Sequence, residues 1–313
     1  MPAAGPYVLA RSRGNIAWRN KPSRNRQWGL VAMSSVLITG ANSGIGLAAS
    51  VELAKRGWRV VATMRDRTKR GELDRQLAAA GVSDDVRIEQ LDVTDEKSID
   101  ATVAALDLAH HTLEAVVHNA GIAIGGAFED LSDAEIRGVM EVNFFGVLAL
   151  TRRLLPAFRA QRRGRILIVS SEAAFAGHPT ISAYAASKWA VEGWAEALAY
   201  EVAPFGIEVT LVEPGAIKTN IWKASPRIIP KESPYRPLLR HLDAAVDIHV
   251  EKTAREPEEA ARVIANALEA RKPRFRNTVG PTARMLHIAR GKIPAHLMRR
   301  IFARYFGLHR IRW

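Results

Sequence analysis

The chain has no cysteine in its 313 residues, which excludes disulfides, thiolate metal sites and cysteine nucleophiles together. That absence fits a reducing compartment. No stretch approaches the ~18 apolar residues needed to span a bilayer. Nor is there a signal-peptide core near the start, where the short apolar run at 7–10 meets Arg11 and Arg13. A cytoplasmic protein is expected. Acidic residues are missing from both ends: residues 1–32 hold six Lys and Arg with no Asp or Glu, and residues 271–313 hold twelve with none. Between them, 33–270 carries 27 bases against 32 acids, so the net charge of +13 resides in the ends and the body is mildly acidic. No nucleic-acid recognition motif accompanies this charge, and no nucleic-acid partner is expected. The basic ends read either as solvated arms or as segments drawn to an anionic membrane surface.

What is present is a regular alternation. Residues 1–32 read as a basic, disordered extension, broken by Pro2, Gly5, Pro6, Gly14, Pro22 and Gly29 without a period in its Arg. Met33 stands just before the first strand-like run, so two readings stay open: a start at Met33, or a native extension. From Ser35 onward, strand-sized apolar runs at 36–39, 59–63, 87–90, 115–118, 165–169 and 208–212 alternate with helical patterns such as 46–56, 95–110, 133–160 and 182–203. Parallel strands require crossover connections, so this order predicts an α/β fold with one doubly wound parallel sheet and helices on both faces. The strands are continuously apolar, as a doubly covered sheet requires. The expected organisation is a catalytic domain over 33–280, with a lid around 220–252 and a basic amphipathic segment over 281–313.

The first strand runs into Thr39-Gly40-Ala41-Asn42-Ser43-Gly44-Ile45-Gly46 and then a helix. Glycines permit a tight turn and close approach of backbone to a pyrophosphate, which free N–H groups at the helix start stabilise. The spacing G-x-x-x-G-x-G resembles that of the short-chain dehydrogenase/reductase family, and further matches follow in order. Asp92-Val93 resembles the family's adenine contact, and Asn119-Ala120-Gly121 its signature beside the coenzyme cleft. Asn143, Ser171, Tyr184 and Lys188 resemble its catalytic set. Pro214-Gly215 with Thr219 resembles the loop that holds the nicotinamide carboxamide. The match is close over roughly 34–222 and looser to about 280. It implies a Rossmann-type sheet of about seven strands, a nicotinamide coenzyme and a homo-oligomer.

The second strand ends Thr63-Met64-Arg65-Asp66. A Rossmann-type site for NAD places an acid at this end to hold the ribose 2′-hydroxyl. By family register that slot falls on Met64, with Arg65 next. An arginine fork suits a 2′-phosphate, and Arg67, Lys69, Arg70 and Ser43 add to it, so NADP(H) is expected. The alternative is NAD, with Asp66 on the ribose. The Thr63–Asp66 run further resembles the family's steroid- and retinol-dehydrogenase-like branches.

Tyr184 and Lys188 lie four apart on a helical pattern and share a face. A nearby ammonium and the positive nicotinamide favour the phenolate over its usual pKa of ~10. Ser171 precedes Tyr184 by thirteen residues, the separation usual in the family it resembles, which implies that Ser171 hydrogen-bonds the substrate oxygen and leaves Ser170 to satisfy backbone at the strand end. In the family, Asn143 anchors a water in a proton relay through Lys188, which also holds the nicotinamide ribose; a buried structural Asn is the other reading. His110 and His111 are adjacent and point apart, and no helical H-x-x-x-H occurs, so no metal is expected.

Residues 220–252, with four prolines among Ile221, Trp222, Ile228, Ile229, Leu238 and Leu239, suit a mobile lid with an apolar inner surface. Together with 175–181 they point to a lipophilic alcohol or carbonyl substrate. Near the C-terminus, Leu297, Ile301 and Tyr305 align with Met298, Phe302 and Phe306 as one stripe, with Arg299, Arg300 and Arg304 opposite. This basic amphipathic helix, stopped at Gly307, suits a membrane interface, the protein body or a dimer contact. Two functions remain: an NADP(H)-dependent alcohol dehydrogenase or carbonyl reductase, or a coenzyme-binding regulatory or membrane-peripheral protein without turnover.

Overall fold

The computed structural model describes residues 34–108, 112–219, 221 and 225–311. The N-terminal extension, Met33, the His110–His111 pair, Asn220 and Trp222 lie outside the described residues. In chain order the elements are β1 (Ser35–Ile38), α1 (Gly44–Lys55), β2 (Arg59–Met64), α2 (Gly71–Ala80), β3 (Val86–Gln90), α3 (Glu96–Ala105), β4 (Ala115–His118) and β5 (Gly125–Gly126). They continue with α4 (Asp133–Met140), α5 (Gly146–Ala160), β6 (Gly164–Val169), α6 (Ser182–Val202), β7 (Ile207–Pro214) and β8 (Arg227–Ile228). The chain closes with α7 (Arg236–Thr253), α8 (Pro257–Glu269), β9 (Arg276–Val279), α9 (Pro281–Ala289) and α10 (Ala295–Tyr305).

Seven strands pair in the order β3-β2-β1-β4-β6-β7-β9, every neighbour parallel. Successive side chains of a strand point to opposite faces, so a sheet covered on both sides needs apolar residues in both registers. Val36 and Ile38 of β1 enter one core with α1, α2 and α8, whereas Leu37 enters the other with α3, α5 and α6. Trp58 and Phe158 are among the largest side chains fully buried in these layers. The winding reverses between β1 and β4. At such a switch point, loops at the strands' carboxyl ends diverge and leave a crevice.

Observed strand and helix limits agree with the sequence pattern to within a few residues. The helical pattern at 95–110 ends earlier, at Ala105. The pattern at 133–160 is one rod, but Glu141–Phe145 forms a π-helical turn between α4 and α5. β9 carries no apolar run of its own and enters the sheet beside β7, so periodicity did not reveal it.

His118, last residue of β4, is 2 % exposed, with its Nε2 2.9 Å from Thr151 Oγ1. Burial pushes its pKa down to about 3. The folded chain therefore keeps His118 neutral while an unfolded chain protonates it near its ordinary value. Stability from this group is complete above about pH 6.5 and declines toward pH 3, by at most about 1.4 kcal/mol per pH unit. Unfolding free energies between pH 7 and 4.5 should fall less steeply in His118→Asn than in the parent; equal slopes would reject this origin.

Candidate active site

A cavity of about 750 Å³ occupies that crevice and runs from the glycine turn to the C-terminal helices. At one end the turn between β1 and α1 is held from behind. Asn119 Nδ2 donates to the carbonyls of Thr39 and Gly40 at 2.9 and 3.0 Å. The backbone N–H groups of Asn119 and Ala120 donate to Thr39 Oγ1 at 3.0 and 2.9 Å. Gly40 and Gly44 take φ of +68° and +56°, conformations costly to any residue with a Cβ. A Cβ on Gly46 would lie 2.3 Å from Gly40 O and 2.4 Å from Asn119 Nδ2. Ser43 makes no side-chain cap and α1 has no acid in its first turn. Asn42, Ser43, Gly44 and Ile45 therefore present a cradle of backbone and a positive helix end to the cavity. That is the local chemistry a pyrophosphate requires.

Beside this cradle, Met64 is 1 % exposed and belongs to the core under the sheet, so the family's acidic slot holds a buried thioether. Arg65 is exposed and lines the rim with Lys69. Asp66 Oδ1 accepts from Thr68 N at 2.9 Å and Thr68 Oγ1 at 2.6 Å, which draws its carboxyl pKa below the ordinary value. Asp92 and Val93 line the next wall, Asp92 Oδ1 accepting from Thr94 N at 2.9 Å. Pro214, Gly215 and Thr219 close the opposite side. Gly215 N donates to Val279 O at 2.9 Å, and Thr219 stands against Gly44.

At the middle of the cavity β6 ends and α6 begins. Ser171 and Tyr184 share a hydrogen bond, which favours the phenolate, but burial dominates and pushes the Tyr184 phenol up to about 12. The favoured phenolate expected from the sequence counts the charge of a bound nicotinamide beside that of Lys188, whereas burial sets this value. Lys188 Nζ lies 5.7 Å from the Tyr184 ring centroid and donates to Val169 O at 2.9 Å. Burial lowers its pKa to about 8, with Glu192 working against the drop. Ser170 does not serve the backbone with its hydroxyl; Oγ donates to Glu192 Oε1 at 2.6 Å. Asn143 is 1 % exposed and stands behind the wall rather than in the cavity. Its Oδ1 accepts from Ile122 N at 2.9 Å, and its Nδ2 donates to Ile122 O at 2.8 Å and Ser187 Oγ at 2.9 Å.

Sequence reasoning missed the charges behind this group. Glu192 follows Lys188 by one helical turn, so Tyr184, Lys188 and Glu192 share a face of α6. Arg276 of β9 pairs with Glu192 and Glu196, each at 2.5 Å, and with the fully buried Glu213 of β7. Arg290 adds a contact to Glu192 at 3.4 Å. Burial pushes the Glu213 carboxyl up to about 7. The usable signal was a glutamate four residues beyond a lysine, on the face shared with Tyr184. Glu172, next to Ser171, was also overlooked; it is 8 % exposed, lines the cavity, and burial raises its pKa.

The far end is apolar. Ile181, Ile221, Ile229, Leu239 and Leu242 line it, which matches the apolar inner surface read at 175–181 and 220–252. The stretch expected as a lid is joined to the body by the parallel pairing of β5 with β8. Further ties are Arg227–Asp243 at 2.5 Å, Ser233 Oγ to Asp130 at 2.6 Å and Tyr235 OH to Glu129 at 2.8 Å. Thr180 takes a left-handed φ of 66° on this wall, its carbonyl accepting from Gly126 N at 2.8 Å. The basic amphipathic helix α10 docks on the protein body as a roof. Phe302 and Phe306 pack on His178 at 5.5 and 5.6 Å, and Met298, Ile301 and Tyr305 line the cavity.

Residues 34–227 match the model of the short chain dehydrogenase family. The chain is 44% identical over 189 residues to the uncharacterized oxidoreductase YusZ of Bacillus subtilis, covering 60% of this chain and 67% of that protein. Retinol dehydrogenase 8 of Homo sapiens is 39% identical over 194 residues, and the chain spans only 60% of that relative's length, with 60% of this chain covered. A short-chain dehydrogenase from Streptomyces avermitilis superposes with a TM-score of 0.72 at 32% identity, covering 90% of this chain and 98% of that one. Similar structures at 25–28% identity contain NADP, NADPH or, in one case, NAD.

Two glycine substitutions test the cradle. Gly46→Ala forces a Cβ against backbone and should cost roughly 1–3 kcal/mol, seen as a thermal midpoint several degrees lower. Gly138→Ala, on α4 with open space around it, should be neutral or stabilising by up to about 1 kcal/mol. Equal melting of the two variants would show that the turn is not constrained in this way.

Proposed function

The chain belongs to the short-chain dehydrogenase family of oxidoreductases, and on that premise we propose that it interconverts a lipophilic alcohol and its ketone or aldehyde with NADP(H). The observation that carries this reading is the convergence of Ser171, Tyr184 and Lys188 midway between a glycine cradle and an apolar chamber. The name of the retinol dehydrogenase relative and the apolar far wall both support a lipophilic substrate.

When bound, the coenzyme supplies or accepts the hydride. Gly40, Asn42, Ser43, Gly44, Ile45 and Gly46 are the residues we assign to its pyrophosphate, Asp92 and Val93 to its adenine, and Pro214, Gly215 and Thr219 to its carboxamide end. Asn119, Ala120 and Gly121 form the floor between them. Arg65, helped by Lys69 and Ser43, would take the 2′-phosphate. The engagement of Asp66 with Thr68 supports NADP(H) over NAD, since its Oδ1 already caps the following turn.

In reduction, the Tyr184 phenol donates its proton to the substrate oxygen while the Ser171 hydroxyl donates a hydrogen bond to the same atom. A phenol pushed up to about 12 stays protonated through the neutral range, which suits that role. In oxidation Tyr184 must first lose its proton, and the charge of Lys188 opposes the penalty of burial. Lys188 also serves the nicotinamide ribose. Asn143 holds the segment after β4 against α6 through Ile122 and Ser187, so we give it a positioning role. Exposed Phe145 and Tyr200, on the helices flanking this site, support a homo-oligomer.

NADPH consumption against lipophilic ketones and aldehydes tests the reading. Tyr184→Phe should lower turnover at least 10²-fold, the usual weight of a general acid, while NADPH binding survives. NADPH binding without turnover on any such substrate would favour a coenzyme-binding regulator instead.

Coenzyme choice has its own test. Losing a charge-assisted contact worth about 1.5–3 kcal/mol, Arg65→Ala should reduce the NADP-over-NAD preference by roughly 10–100-fold. An unchanged preference in kcat/KM would remove Arg65 from the phosphate site.

A further inference from the structure

Half of the exposed large apolar side chains among the described residues fall on two short helices, α9 and α10. They are Met285, Ile288, Leu297, Ile301 and Tyr305, between 43 and 61 % exposed. The stripe of α10 divides into two adjacent rows, each with its residues one helical turn apart. Met298, Phe302 and Phe306 face inward, with Phe302 and Phe306 on His178 and the Phe306 carbonyl bonded to His241 at 2.8 Å. Leu297, Ile301 and Tyr305 form the outward row, and Arg300 and Arg304 run exposed along its other side. Met285, Ile301 and Tyr305 are exposed and also line the cavity, which places them at its mouth.

Charge is equally one-sided here. Residues 271–313 hold twelve Lys and Arg and no acid, and Arg284, Lys292, Arg299, Arg300 and Arg304 are exposed on α9, α10 and the turn joining them. A second copy of this face would bring like charges together. A nucleic acid would use the arginines but would leave the apolar row in water. An anionic bilayer satisfies both: apolar side chains enter the headgroup boundary while arginines meet lipid phosphates. We infer that this face docks on an anionic membrane surface, with the mouth of the cavity turned toward the lipid. Lipid as the source of the substrate rests on the lipophilic reading above; docking itself does not.

The test is co-sedimentation of the full chain with phosphatidylcholine vesicles, with and without phosphatidylglycerol. Binding should appear with the anionic lipid and be weak without it. Arg300→Ser/Arg304→Ser should lower the partition coefficient about 25-fold, from the roughly fivefold weight of each basic residue at such a surface. Ile288→Asp/Leu297→Asp, at positions outside the cavity lining, should lower it at least as much with a thermal midpoint near the parent's. Because residues 1–32 are also basic, unchanged binding in both double variants would overturn the assignment to α9 and α10. Absence of parental binding would overturn it too, as would a lipid-free dimer dissociated by the Asp variant without any vesicle binding. Partition requires no turnover, so its failure leaves the oxidoreductase reading standing, and an inactive enzyme that still partitions leaves the docking face standing.

Discussion

Burying the amine of Lys188 is the constraint on which the neighbouring structure is built. An ammonium withdrawn from water costs several kcal/mol unless hydrogen bonds and opposite charge replace its hydration. Val169 O supplies the hydrogen bond, which fixes where β6 must end relative to α6. Glu192, one turn along α6, supplies the opposite charge. That carboxylate is itself buried and is satisfied by Ser170 and Arg276. Arg276 is present only because β9 joins the sheet beside β7, and it brings Glu196 and Glu213 into the same group. One buried cation thus links the ends of three strands to the helix that carries Tyr184.

The two ends of the cavity are built from different materials. Around the glycine turn the walls are backbone and short polar groups, fixed by Thr39 and Asn119. Such a wall binds by directed N–H groups and tolerates no added Cβ. Beyond Tyr184 the walls are mainly aliphatic and aromatic side chains, from Ile181, Ile221, Ile229, α7, α9 and α10, held by a few surface ion pairs and hydrogen bonds. Pairs of that kind contribute little each, so shape and apolar area dominate there.

Most of the sheet was legible because short apolar runs such as Val36–Ile38 alternate with helix-length segments, and because the glycine turn has its own spacing. The shared face of Tyr184 and Lys188 was readable from their interval, whereas Ser171 was picked out only through the family resemblance. β9 was not: Arg276-Asn277-Thr278-Val279 looks like a surface segment, and only its pairing with β7 makes it a strand. The depth at which Tyr184 is buried also escaped the sequence, and that depth raises its pKa. For Asn143 the sequence left a relay anchor and a buried structural Asn open, and gave no sign that its amide would be taken up by Ile122 and Ser187 within a π turn. The outward row of α10 could not be told from the inward one by periodicity, because docking decides which of two adjacent rows is covered.

The match to the short chain dehydrogenase family stops at residue 227, whereas the roof of the chamber comes from residues 239–306. The proposed proton-handling groups thus lie inside the matched stretch, while the chamber draws its walls from both stretches and its roof from the later one. A change confined to the later stretch can reshape what the chamber accepts while every proton-handling group stays in place. Kinship measured over the earlier stretch accordingly ranks relatives by shared chemistry, and two proteins close on that scale are free to differ in diet.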